Sequence, residues 1–197
     1  MTSRAQAGRA AFPFRVLLVL ALLFLSMPWQ ARAQLDVHEI DYEKVFAEGF
    51  SRGGTVLNLS GKKIGDEGLK RLLQKKDRLR KVKKLDLRYC ELTEAAGKML
   101  AQTDAFPALK ALEIRHNFLM DAGTSALADA SGLGGLEKLG LGWNEVRDAG
   151  ALALADSKRF PKLKKLDLRG NYFADKTKEA LGKSFAGLRD LKLTSSL

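Results

Sequence analysis

Cysteine is almost absent from this chain: Cys90 is the only one. A single thiol excludes any disulfide within the chain, so stability must come from packing. Histidine is nearly as scarce, with His38 and His116 alone. No paired cysteines, H-E-x-x-H, G-x-S-x-G or Walker glycine loop occurs, so the familiar arrangements for metal, acyl and phosphoryl chemistry are missing. Long apolar runs are missing too. The longest, Val16–Leu25, has ten residues, well short of the roughly 20 that cross a bilayer.

Acid is absent from the first 33 residues, which carry Arg4, Arg9, Arg15 and Arg32. Basic leader, apolar run, the break at Pro28 and the small residues Ala31 and Ala33 follow the order of a secretory signal peptide. Cleavage is expected before Gln34, leaving an exported chain, periplasmic or secreted, without a transmembrane segment. No cysteine follows the run to take lipid, and the leader has no Arg-Arg pair. Four of the basic residues leave with this segment, so the formal charge falls from +11 to +7. That surplus favours acidic partners without naming one.

What is present is repetition. Leu-x-Leu or its equivalent recurs at Leu57, Leu85, Leu112, Leu139, Leu166 and Leu191, with successive starts 28, 27, 27, 27 and 25 residues apart. Apolar columns accompany it. Val82, Leu109, Leu136, Leu163 and Leu188 precede the motif; Ile64, Leu92, Leu119, Val146 and Phe173 follow it. Leu72, Leu100, Leu127, Leu154 and Leu181 complete the set. Alternation predicts a short strand, and the second half of each unit predicts a helix.

This pattern, L-x-x-L-x-L-x-x-N-x-L followed by a helical half, resembles the leucine-rich repeat, and 27-residue units resemble its ribonuclease-inhibitor-like class. The resemblance covers residues 54–193. It implies an α/β solenoid, right-handed, with a parallel concave sheet and convex helices, of about five repeats plus a final strand. Such repeats serve many unrelated partners; a binding role without cofactor is expected from the absence of catalytic groupings and from the concave strip. The ribonuclease-inhibitor-like class is mostly intracellular in animals and plants, and the leader departs from it.

Residues 34–53 are expected to form a helical cap, with Tyr42, Val45, Phe46 and Phe50 on one face; the repeat domain is read as 54–197. Asn117, Asn144 and Asn171 are expected to satisfy backbone groups at the bend, with Cys90 a buried member of the same column. Asp66, Glu94, Asp121, Asp148 and Asp175 are read as helix-entrance caps, in preference to a calcium ladder. The Asn58-Leu59-Ser60 sequon falls in a strand and is read as coincidental.

The candidate binding face is the outward side of the strands. An acidic row, Asp86, Glu113 and Asp167, runs beside Arg88, Arg115 and Arg169, which border Tyr89, His116 and Trp143. Tyr, Trp and Arg dominate binding energy at interfaces. Gly140 and Gly142 are expected to leave room for a partner side chain beside Trp143. Mutual neutralisation of Asp86 with Arg88 and Glu113 with Arg115 is the plainer alternative.

Three roles follow: binding a protein partner through the concave strip; binding anionic lipid or polysaccharide through the basic stretch Lys70–Lys84, opposed only by Asp77; or self-association at an uncapped C-terminal edge strand. Nucleic acid is not expected, since no aromatic residue interleaves the basic stretch. Catalysis is not expected.

Overall fold

The computed structural model describes residues 40–194. The leader assigned to residues 1–33 lies outside the described residues, as do the start of the cap and the last three positions. The chain opens with helix α1 (Tyr42–Gly49) and strand β1 (Phe50–Ser51). It continues through β2 (Val56–Asn58), α2 (Gly65–Leu73), α3 (Lys76–Leu79), β3 (Lys84–Asp86) and α4 (Glu94–Gln102). Then come β4 (Ala111–Glu113), α5 (Met120–Ala128), β5 (Lys138–Gly140), α6 (Asp148–Asp156), β6 (Lys165–Asp167), α7 (Asp175–Ser184) and β7 (Asp190–Lys192). The seven strands form one sheet in sequence order.

From β2 to β7 every pairing is parallel, and the first motif leucines stand in a single register column: Leu57, Leu85, Leu112, Leu139, Leu166, Leu191. Because side chains alternate across a strand, these leucines point into the core and their neighbours point out. The helical column Leu72, Leu100, Leu127, Leu154 and Leu181 is wholly buried opposite them. Ile64, Leu92, Leu119, Val146 and Phe173 fill the space between strand and helix. With Val82, Leu109 and Leu136 and the second motif residues Leu59, Leu87, Ile114, Leu141 and Leu168, these columns make one continuous core, each repeat shielding the next.

The cap differs from the sequence expectation at its end. Asp41 accepts a hydrogen bond from the Lys44 amide and starts α1, but the helix stops at Gly49 and Phe50 enters a strand. That strand runs antiparallel to β2, pairing Phe50 with Leu57 and Ser51 with Val56. A helix alone would leave the outer backbone groups of β2 unpaired, whereas the hairpin satisfies them.

Two polar ladders tie the repeats together. Asn117 donates through Nδ2 to the carbonyls of Leu87 and Ile114, and its Oδ1 accepts from the amides of Cys90 and Leu92. Asn171 makes the same set two repeats on, to Leu141 and Leu168 and from Asn144 and Val146. Each asparagine therefore serves its own bend and the preceding one. The acids run the other way. Asp121 Oδ1 accepts from the amides of Arg147 and Gly150 at the start of α6. Asp148 accepts from the Ala174 amide and the Thr177 hydroxyl at the start of α7, and Asp66 from the amide and hydroxyl of Thr93 before α4. These acids sit at their own helix entrances as expected, but they cap the helix of the following repeat.

Candidate functional site

The outward strand residues form three columns across the sheet: Lys84, Ala111, Lys138, Lys165 and Asp190; then Asp86, Glu113, Gly140, Asp167 and Lys192; then Arg88, Arg115, Gly142 and Arg169. The central carboxylates are buried although they lie on a solvent face, Asp86 and Glu113 each exposing 3%. The arginines bury them. Arg88 grips Asp86 through two bonds of 2.8 Å, and Arg169 holds Asp167 at 2.9 and 2.7 Å. Arg115 bonds Glu113 at 3.1 Å and reaches Asp167 at 3.4 Å, while Lys138 sits 2.6 Å from the other Glu113 oxygen. Burial pushes Asp167 up, but the hydrogen bonds and charge of Arg169, with the charge of Arg115, outweigh it and hold its carboxyl low. Hydrogen bonding to Asp86 raises Arg88, and to Asp167 raises Arg169. Mutual neutralisation is thus what the strip does with its arginines, and geometry this close is what offsets the desolvation of partly buried ions.

Gly140 and Gly142 do not leave room beside Trp143. A Cβ on Gly140 would overlap the Glu113 carboxylate, and one on Gly142 would come within 2.8 Å of the Arg169 carbonyl oxygen. The missing side chains let Arg115 lie across β5 and join β4 to β6. Over β4 to β7 the columns enclose a charged depression of about 240 Å³.

Beside this strip the chain leaves each strand through a residue in the left-handed region. Glycine occupies the position at both ends, Gly61 (φ +73°) and Gly170 (φ +70°); between them Tyr89, His116 and Trp143 hold φ of +54°, +56° and +53°. For a non-glycine residue that conformation costs about 1–2 kcal/mol. Parallel strand spacing places the three rings in a stack, with centroids 4.2 Å apart for Tyr89–His116 and 4.6 Å for His116–Trp143, both 10° from parallel. Stacking returns part of the backbone cost. The Arg169 guanidinium lies 5.5 Å from the Trp143 ring. Gly170 is the glycine that makes way: a Cβ there would run into the indole. Burial, then the charges of Arg115 and Arg88, lower the pKa of His116, against a smaller raising pull from Asp167.

Two side chains escaped the sequence reading. Phe118 and Tyr172 follow the ladder asparagines, at the position held by Lys63, Glu91 and Glu145 in the other repeats, and they are 46% and 65% exposed. With Trp143, His116, Tyr89 and Glu145 they line a groove of about 340 Å³. The signal was available: two large apolar residues in a column otherwise charged.

Two segments, residues 55–73 and 136–155, match the family model for the leucine-rich repeat; they carry β2 with α2 and β5 with α6. The fold is a leucine-rich-repeat solenoid. No curated protein matches the chain.

Within the leucine-rich-repeat frame Cys90 takes the asparagine's place. Its Sγ donates to the Leu59 carbonyl at 3.0 Å, and burial pushes the thiol up to about 11. It points inward, whereas His116 points out. The basic stretch Lys70–Lys84 has more opposition than Asp77: Lys70 and Arg71 pair with Glu67, Lys75 with Glu43 of α1, and Lys76 with Asp104 of the next repeat. Arg71 and Arg78 also lie over the rings of Tyr42 and Phe50, so much of the stretch fastens the cap. Among the described residues no cluster of three or more His, Cys, Asp or Glu could hold a metal, and no helix is long and apolar enough to cross a membrane.

Proposed function

We propose that this leucine-rich-repeat chain is an exported, non-enzymatic protein that binds a protein partner across its concave strip and the aromatic ridge bordering it. The observation that carries this reading is the ridge. Tyr89, His116 and Trp143 hold a costly backbone conformation, and Tyr89 at the head of the stack is 51% exposed. Glu91 and Glu145 hold the same conformation two residues on, so the bend belongs to the repeat; what marks the ridge is that three aromatic rings occupy it and stack. Arg88, Arg115 and Arg169 belong to the same surface: locked on their carboxylates, they give it a fixed shape and charge pattern, so little order is lost on binding. Export rests on the leader, and the absence of a catalytic role on the engagement of the strip carboxylates by arginine.

The test begins with a partner recovered by cross-linking from the cell-envelope fraction. Trp143→Ala and Arg115→Glu are each expected to weaken its binding at least about tenfold, with circular dichroism verifying the fold. Normal binding by both variants removes this face from consideration. A second reading, an anionic polymer or lipid held by the basic stretch, has in its favour that Arg80, Lys81, Lys83 and Lys84 pair with no acid among the described residues. Binding of that kind falls steeply with salt, and salt-insensitive binding rules it out.

A further inference from the structure

The chain carries 34 lysines and arginines, yet the groove beside the ridge has none in its wall. It is lined by the rings of Tyr89, His116, Phe118, Trp143 and Tyr172, with Glu145 as the one carboxylate. Glu145 is exposed and makes no ion pair among the described residues; Glu91, two positions back in the same column, is paired with Lys63 at 3.0 Å. The Trp143 Nε1–H donates to nothing among the described residues, and the indole lies against Gly170. His116 adds no charge near neutral pH, since its pKa is lowered.

We infer that this groove receives one cationic side chain, lysine or arginine, presented by the protein partner. This inference rests on the partner-binding reading above. Ring faces are negative and attract a cation placed over them; His116 is covered on both faces by Tyr89 and Trp143, so the rings that offer a face are the exposed Phe118 and Tyr172. Glu145 supplies the opposite charge at the mouth. An anion would meet both the carboxylate and the ring faces with the wrong sign. A neutral ring would gain contact with the aromatic walls but would cover Glu145 and leave its charge without a partner. Only a cation with an apolar stem satisfies walls and carboxylate together, and lysine and arginine have that form. At about 340 Å³ the groove suits a single side chain and not an element of structure. Against the positive excess of the rest of the surface it also sets orientation: a basic partner residue is repelled elsewhere and accepted here.

The test is a titration of the ¹⁵N-labelled full chain with capped tripeptides Gly-Arg-Gly and Gly-Lys-Gly at millimolar concentration, following the Trp143 indole N–H, assigned through Trp143→Phe. Saturable shifts are expected with both, and none with the Gly-Gln-Gly or Gly-Glu-Gly counterparts. Glu145→Gln keeps the side chain's shape at an exposed site and is expected to weaken the arginine peptide about three- to fivefold. Tyr172→Ala removes an exposed wall and is also expected to weaken it. Equal binding of the glutamine peptide, unchanged affinity in Glu145→Gln, or no shift with any peptide overturns the proposal. Its failure separates from that of the wider reading. A partner that loses affinity with Trp143→Ala but not with Glu145→Gln refutes the cation alone, whereas one indifferent to both Trp143→Ala and Arg115→Glu refutes the face.

Discussion

Cys90 occupies an interior bend where a thiol stands in place of the ladder asparagine. Asn117 and Asn171 each accept two backbone amides of the preceding repeat and donate to its carbonyl. A thiol donates to Leu59 but is a weak acceptor for the amides of Lys62 and Ile64 that face it. Cys90→Asn is therefore expected to stabilise the fold by about 1 kcal/mol, the net worth of one added hydrogen bond, read as a higher urea midpoint with unchanged slope. His116 gives a second residue-scale prediction. Its pKa is lowered, by burial first and then by Arg115 and Arg88, so the fold favours the neutral ring. Its contribution to stability is complete above the unfolded value of about 6.5 and is lost as pH falls through the lowered one. An NMR titration of the His116 ring is expected to give a midpoint below that value, with the stack loosening on the acid side; a midpoint above it contradicts the assignment.

At the scale of elements, the acids show how far the sequence could be read. A column of Asp and Glu at helix entrances was legible, and so was the positive helix end that wants them. Which helix they serve was not, because the choice depends on how closely successive helices stack, and that distance has no local signal. Asp121→Ala is expected to cost about 1 kcal/mol, with faster amide exchange at Arg147, just before α6, and at Gly150 in its first turn, while α5, the helix Asp121 belongs to, keeps its protection. The glycines repeat the lesson. Gly140 and Gly142 announced space, but the space belongs to the Glu113 carboxylate at the first and to the Arg169 backbone carbonyl at the second. The leucine columns needed no such knowledge, since a 27-residue period and alternation determine both strand register and inward face. Phe50 misled because helical spacing continued by chance into a residue whose backbone was needed by the β2 edge.

At the scale of the whole molecule, stability is the sum of repeats and the joints between them. Leu139 is an interior member of the register column and is buried from both sides, so Leu139→Ala is expected to cost about 3–5 kcal/mol, enough to move the urea midpoint of the entire described unit. Surface changes on the helices are expected to move it far less.

The two polar ladders point in opposite directions along the chain: asparagine serves the repeat behind, aspartate the repeat ahead. A unit copied in tandem would arrive with half of each joint already in place and meet the complementary half at both seams. Its cut ends would match wherever in the unit the copy began, provided its length were one period. An insertion of any other length would break the leucine, asparagine and aspartate columns together. Growth by whole repeats is thus written into the joints themselves, and length becomes the property of this chain that can change most freely while its surface chemistry stays in phase.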